Sequence, residues 1–232
     1  MTQRIIEITS PVFLNEEDIP AGGPGAAFAV ERPLALEIGC GIGDFIVQLA
    51  AQNPAVNYLA IDIYNKGCLK TCKKVEAAGL DNVRVMRAEA RYLLSSYLER
   101  ESLAAIYINC PDPWPKKRHR QRRLVNPDFL RLALHYLRPE GEFHFSTDFP
   151  DYAESVAEDI GANPGFCNCL PEPLVLERPG YPLSKYMRRF LDLGQPIHFI
   201  HHRKRGDLEP EALPLPAIGP GFRVRWSSAG NE

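Results

Sequence analysis

The sequence predicts an α/β protein built on a doubly wound, mostly parallel sheet. Two patterns carry that prediction. Short apolar runs alternate with segments of helical period between about residues 33 and 161, and such alternation builds a parallel sheet with helices on both faces. Candidate functional residues then fall on the ends of the runs, with Gly39, Asp62, Glu89, Asp112 and Asp148 each at or just after one. Ligands of open α/β sheets sit outside the carboxyl ends of the strands, so five candidates on one rim point to a single site. The 232 residues suffice for one domain with a full core.

In chain order, residues 1–32 form an N-terminal extension with few periodic signals, and Pro20-Ala21-Gly22-Gly23-Pro24-Gly25 reads as a linker. Strands are expected near 34–39, 57–62, 82–87, 103–109 and 141–147. Helices are expected near 43–52, 66–78, 89–98, 127–137 and 150–161, where apolar residues recur as in Phe45, Ile46, Leu49 and Ala50. After 162 the pattern changes to a strand over 166–176, a short helix over 183–193 and a final strand over 196–202. The main domain is placed at 33–205. Residues 206–232 are rich in Pro and Gly and are expected to form an irregular tail.

Two motifs carry chemistry. The first is Gly39-Cys40-Gly41-Ile42-Gly43-Asp44, a turn from strand to helix. Alternate glycines allow a tight turn and a close approach of backbone to ligand. The spacing differs from the dinucleotide-binding Gly-x-Gly-x-x-Gly. Glu37 sits just before the turn. Asp62 ends the next strand, where an acid holds a ribose diol in nucleoside-binding α/β folds. The second motif is Asn109-Cys110-Pro111-Asp112-Pro113-Trp114-Pro115-Lys116-Lys117-Arg118-His119. Prolines on both sides restrict the backbone around Asp112. A carboxylate, a large ring and several cations are forced together, the set that would grip a purine on a phosphate backbone. The chain carries a net charge of −2, so any RNA contact must be local, and six Lys or Arg residues lie between Lys116 and Arg123.

These motifs resemble the tRNA (guanine-N7)-methyltransferase family in its bacterial single-chain form. The resemblance runs from Leu36 to Gly43, through Ala60-Ile61-Asp62, Asn82 to Ala90 and Asn109 to Phe129, and into Ser146-Thr147-Asp148-Phe149-Pro150-Asp151-Tyr152. The glycine turn is generic to S-adenosyl-L-methionine enzymes, whereas Pro111 to His119 with Arg122-Arg123-Leu124-Val125 is specific to this family. The resemblance implies a class I SAM-methyltransferase fold, Rossmann-like, whose sheet closes with an antiparallel hairpin. It implies methyl transfer from S-adenosyl-L-methionine to N7 of a guanine in tRNA, in the variable loop, giving 7-methylguanosine. The cofactor would be held by Glu37, Gly39, Gly41, Gly43, Asp62, Glu89, Ala90 and Asp112. Lys116, Asp148 and Ser184 would meet the substrate, and Lys117, Arg118, Arg120, Arg122 and Arg123 would follow the RNA backbone.

Guanine N7 bears a lone pair and no proton, so its methylation needs positioning and a nearby negative charge more than a base. Asp112 suits that role and is the candidate catalytic residue; its plainer role is a turn cap. Glu89 also suits a helix N-terminus, and Trp114 packing beneath its loop. Two departures from the family stand out. Its Thr-x-x-Glu segment is here Ser184-Lys185-Tyr186-Met187, which keeps a hydroxyl and loses a carboxylate. Its arginine- and glycine-containing N-terminal segment is not evident.

Six scattered cysteines lack the Cys-x-x-Cys spacing of a zinc site and read as reduced thiols of a cytoplasmic protein. His198, His201 and His202 lack matching acid or cysteine spacing, so no metal is expected. No apolar run is long enough to cross a membrane and no signal peptide is present. Monomer and homodimer both stay open. Two rival readings remain: a methyltransferase with another acceptor (adenine N6, glutamine or a small molecule), and a non-catalytic RNA-binding protein on the same fold.

Overall fold

The computed structural model describes residues 6–207. Its strands are β1 (Leu34–Ile38), β2 (Asn57–Asp62), β3 (Val83–Arg87), β4 (Leu103–Asn109), β5 (Leu137–Thr147), β6 (Phe166–Asn168) and β7 (His198–Lys204). The helices are α1 (Asp44–Gln52), α2 (Asn65–Ala77), α3 (Ala90–Tyr97), α4 (Pro127–Tyr136), α5 (Pro150–Gly161) and α6 (Lys185–Asp192). The strands form one sheet in the order β3-β2-β1-β4-β5-β7-β6. β1 to β5 run parallel, and β7 is antiparallel to both β5 and β6. The expected mostly parallel sheet with an antiparallel closure is therefore present.

Strand alternation sorts the core into two layers. Leu34, Leu36 and Ile38 of β1, with Leu59 and Ile61 of β2, share an apolar cluster with Leu93 of α3, Phe129 of α4 and Val156 of α5. Ala35, Tyr58 and Ala60 belong instead to a cluster with Phe45 and Ile46 of α1 and Cys68 and Cys72 of α2. Helix ends are set locally: Asn126 caps α4 by accepting from the Phe129 N–H at 3.0 Å, with Pro127 at the first helical position.

The strand expected over 166–176 is cut to three residues. The Asn168 side chain accepts from Leu170 N–H and donates to the carbonyls of Leu170 and Glu172, which turns the chain out of the sheet. Pro171 and Pro173 then supply no N–H for a ladder, and only Val175 returns, as a single bridge to Phe199. The last strand begins at 198 rather than 196 and runs to Lys204, whose buried ammonium meets Glu101 and the Leu137 carbonyl, each at 2.8 Å.

Of the N-terminal extension, Ile8, Val12, Phe13 and Leu14 are buried, and exchanges between Leu14 and Val85 and between Val85 and Val12 cover the β3 edge. The segment expected as an irregular tail lies, from residue 208, outside the described residues. Among the described residues no helix is long and apolar enough to cross a membrane.

α2 packs so closely on the glycine turn that a Cβ at Gly67 would collide with the Gly41 carbonyl and stand 3.2 Å from the Tyr64 ring. Gly67→Ala should therefore overpack this contact and destabilise the fold by about 1–3 kcal/mol in urea denaturation. Unchanged stability would mean that the turn yields freely.

Candidate active site

The residues at the carboxyl ends of β1, β2 and β4 enclose a cleft of about 940 Å³. Glu37, Gly39, Gly41, Asp62, Glu89, Ala90, Asp112 and Ser184 all line it. Gly43, Asp148 and Lys116 are not among its lining residues.

The glycine turn has a backbone reason for each glycine: Gly39, Gly41 and Gly43 take φ of 83°, 57° and 83°. Open space lies where side chains of Gly39 and Gly41 would stand, whereas a Cβ on Gly43 would meet Thr71 at 2.9 Å. The first two keep the cleft wall bare, and the third lets α1 approach α2. Asp62 locks the turn, accepting from the Gly41 N–H and the Tyr64 N–H at 2.8 Å each. Burial raises its pKa; the backbone donors oppose the rise, and the Asp112 charge adds to it.

Glu37 is 2% exposed, and its Oε2 has no hydrogen-bond partner. Burial, and then the Asp62 charge, push its pKa up to about 8. Glu89 caps α3: one oxygen accepts from the Tyr92 N–H at 3.0 Å, and the other lies 2.8 Å from Arg91 Nε.

The loop after β4 is strained around Asp112. Cys110 and Trp114 hold φ of 46° and 44°, a region that side chains disfavour. Asp112 itself is exposed on the cleft. Its loop is tied down by Cys110 N–H to the Ser146 carbonyl at 2.8 Å and by Arg123 Nε to the Pro113 carbonyl at 2.9 Å. Trp114 is half-buried, with the Arg122 guanidinium 5.0 Å from its ring centre and His119 edge-on at 5.8 Å. Asp148 lies near Cys110, whose thiol burial pushes up to about 12.

The basic run divides. Lys116, Lys117, Arg118, Arg120 and Arg122 are exposed. Arg123 is 5% exposed and enclosed by Asp151 at 2.6 Å, the Pro113 carbonyl and the Tyr152 ring. Arg120 reaches the same Asp151 at 2.5 Å. A further basic run, Arg203-Lys204-Arg205 at the end of β7, is engaged: Arg203 pairs with Glu140, Lys204 with Glu101 and Arg205 with Asp207.

Sequence reading missed what stands beneath the β4 loop. Asn109 Oδ1 accepts from Ser146 Oγ at 2.8 Å and from the Tyr181 hydroxyl at 3.0 Å, leaving its buried Nδ2 without a partner on the cleft. Tyr181 carries the Arg178 guanidinium 4.5 Å from its ring centre. Arg178 also meets Nδ1 of His144 at 2.9 Å and of His201 at 3.2 Å. Their Nε2 atoms lie 2.8 and 3.1 Å from Glu142 Oε2. Glu142, His144 and His201 are thus close enough to hold a metal ion, but Arg178 donors occupy both Nδ1 atoms. Those contacts turn both Nε2 atoms toward Glu142, although His144 Nε2 makes no hydrogen bond to it. Burial lowers the His144 pKa to about 3, which keeps it neutral. Only Asn109, at a strand end beside the proline turn, had a signal in sequence; Arg178 and Tyr181 are brought in by tertiary folding.

A family model described as "Putative methyltransferase" matches residues 31–200. The tRNA (guanine-N(7)-)-methyltransferase of Syntrophotalea carbinolica is 58% identical over 98% of this chain and 99% of its own length. The Geobacter metallireducens protein of the same name is 52% identical over 88% of this chain and 98% of its own. Among solved structures, 16S rRNA methyltransferase KamB matches with a TM-score of 0.56 at 18% identity, over 75% of this chain and 88% of that one. TrmN from Thermus thermophilus matches with a TM-score of 0.53 at 23% identity, over 75% and 45%. These two likenesses bear on the fold alone.

The raised pKa of Glu37 has a consequence for stability. The folded protein keeps its proton up to about pH 8, whereas the unfolded chain releases it near the ordinary value of 4.5. The contribution of Glu37 is therefore full below 4.5 and is lost as pH rises through 8. Glu37→Gln, neutral throughout, should raise the melting temperature relative to the parent at pH 8.5 and leave it nearly unchanged at pH 4, below the unfolded-state value. A melting temperature at pH 8.5 no higher than the parent's would show that Glu37 ionises without cost in its pocket.

Proposed function

Because the chain belongs to the tRNA (guanine-N(7)-)-methyltransferase family, we propose that its cleft holds S-adenosyl-L-methionine and presents a tRNA guanine to it through Asp112. The observation that carries this reading is one cleft lined by Glu37, the bare glycine turn, Asp62 and the strained Asp112 loop. We propose the variable loop as the target region and the cytoplasm as the compartment, in keeping with six free cysteines.

The residues fit the cofactor. Glu37 offers a buried, unpartnered carboxyl oxygen to an ammonium group, and Asn109 Nδ2 offers an unpartnered donor nearby. Gly39 and Gly41 leave space for a ligand against the backbone. Asp62 retains lone pairs for ribose hydroxyls beyond those its two backbone donors use. Glu89 and Ala90 bound the adenine end, although Glu89 already caps α3. When bound, S-adenosyl-L-methionine supplies an electrophilic methyl group.

The chain's own part is to place the nucleophile. N7 attacks through its lone pair, so no side chain has to remove a proton. Asp112 accepts from the N1 and exocyclic amino hydrogens of guanine and offsets the positive charge that grows on the ring. Prolines and positive φ values around it hold the carboxylate before the substrate arrives. Ser184 meets the guanine from the cleft wall, Lys116 and Asp148 approach it from the loops after β4 and β5 outside the lining, and Lys117, Arg118, Arg120 and Arg122 meet RNA phosphates. We assign Arg123 to holding the Asp112 loop against Asp151, because its guanidinium is enclosed.

Asp112→Asn keeps the shape but loses the charge and turns a donor toward guanine donors. Single-turnover methylation with saturating tRNA should fall about 10²–10³-fold, with binding of S-adenosylhomocysteine retained. A loss below about fivefold would make Asp112 structural and move the guanine contact to Asp148 or Ser184.

A further inference from the structure

Helix α6 carries an exposed face that the assignments above leave unused. Met187 is its buried anchor, and the cap at Ser184 fixes its start. That anchor turns Tyr186 outward, 57% exposed, with Lys185, Arg188 and Arg189 also exposed. Arg188 is committed to Asp44 at 3.4 Å and to the Leu183 carbonyl at 2.5 Å. Lys185, Tyr186 and Arg189 have no such partner among the described residues.

The position of this face decides its meaning. Lys185 and Tyr186 line the mouth of the cleft, as do Trp114 and Arg122 of the β4 loop. The mouth thus lies between two cationic segments, each bearing a large ring. A guanine can enter such a cleft only by leaving its stack, and its neighbours in the strand lose a stacking partner as it does. An exposed ring beside unpaired cations is what binds an unstacked nucleotide, through stacking on any base and contact with its phosphates. A protein partner would need acidic groups to match these cations, whereas RNA brings a phosphate at every residue.

We propose that α6 binds the nucleotide adjacent to the target guanine, with Tyr186 stacked on its base and Lys185 and Arg189 on its phosphates. The proposal rests on tRNA being the substrate.

Binding of the full chain to unmodified tRNA, measured by fluorescence anisotropy across a salt series, tests it. Tyr186→Ala should weaken binding by about 5- to 100-fold, as expected for one lost stacking contact, and Tyr186→Phe should stay within about twofold of the parent. Lys185→Ala with Arg189→Ala should make the log–log salt dependence shallower by about 1–2 units. Calorimetric affinity for S-adenosylhomocysteine should be the same in all variants. Parent-like affinity in Tyr186→Ala together with an unchanged salt slope in the double variant would overturn the proposal. So would a parallel loss of S-adenosylhomocysteine affinity in Tyr186→Ala, which would assign the ring to the cofactor. A parent protein that fails to bind tRNA would instead overturn the tRNA reading itself.

Discussion

The adjacency of β1 and β4 is the constraint on which the site depends. Parallel strands must be joined by right-handed crossovers. From β1 the chain winds through α1 and α2 toward β3, and their side chains fill one layer. It then returns through α3 to β4 on the other side of β1, and α3, α4 and α5 fill the opposite layer. At the carboxyl ends of β1 and β4 the connections leave in opposite directions, so a crevice opens there. The glycine turn after β1 and the Pro-Asp-Pro loop after β4 face each other across it because the topology leaves them no other place.

That crevice concentrates groups that are costly to the fold. Glu37 is buried with an unpartnered oxygen and a pKa pushed up to about 8, and Asn109 Nδ2 is buried without an acceptor. Cys110 and Trp114 hold strained backbone angles. Such features persist where the surroundings over-determine them. Here the support is identifiable: Arg123 clamps Pro113 from one side, and the stack of Tyr107, His144 and His201, topped by Arg178, carries Tyr181 to Asn109 from the other. The buried His144, the half-buried His201 and Glu142 hold the strand ends and Tyr181 in register through contacts shared with Arg178.

The main strands and helices were legible because each is a local pattern bounded by a local stop. Leu34 to Ile38 before a glycine turn, or Pro127 after a capping Asn126, needs no distant partner to be recognised. Site residues at strand ends were legible for the same reason. What failed was one local turn and several contacts far apart in sequence. The strand expected over 166–176 has suitable residues, but the Asn168 side chain and two prolines turn it away from β7 after three. The basic run from Lys116 to Arg123 is uniform in sequence, yet Asp151 on α5 draws Arg123 inside while it holds Arg120 at the surface. Tyr181 and Arg178 carry no motif, and only folding brings them to Asn109.

The exchange of a family glutamate for Met187 shows how a residue can be lost without losing the local structure. In a capping box the third helical residue reaches back to the N–H of the cap residue. Ser184 Oγ accepts from the Met187 N–H at 3.2 Å, and Met187 Sδ lies 3.3 Å from the Ser184 N–H. A thioether is a weaker acceptor than a carboxylate, but its side chain is apolar and is fully buried against Ile197 and Phe199. Burial replaces the charge that a glutamate would have brought to the helix start. The geometry of α6 therefore survives a change in the chemistry of its anchor, and its outward side chains keep their place at the mouth of the cleft.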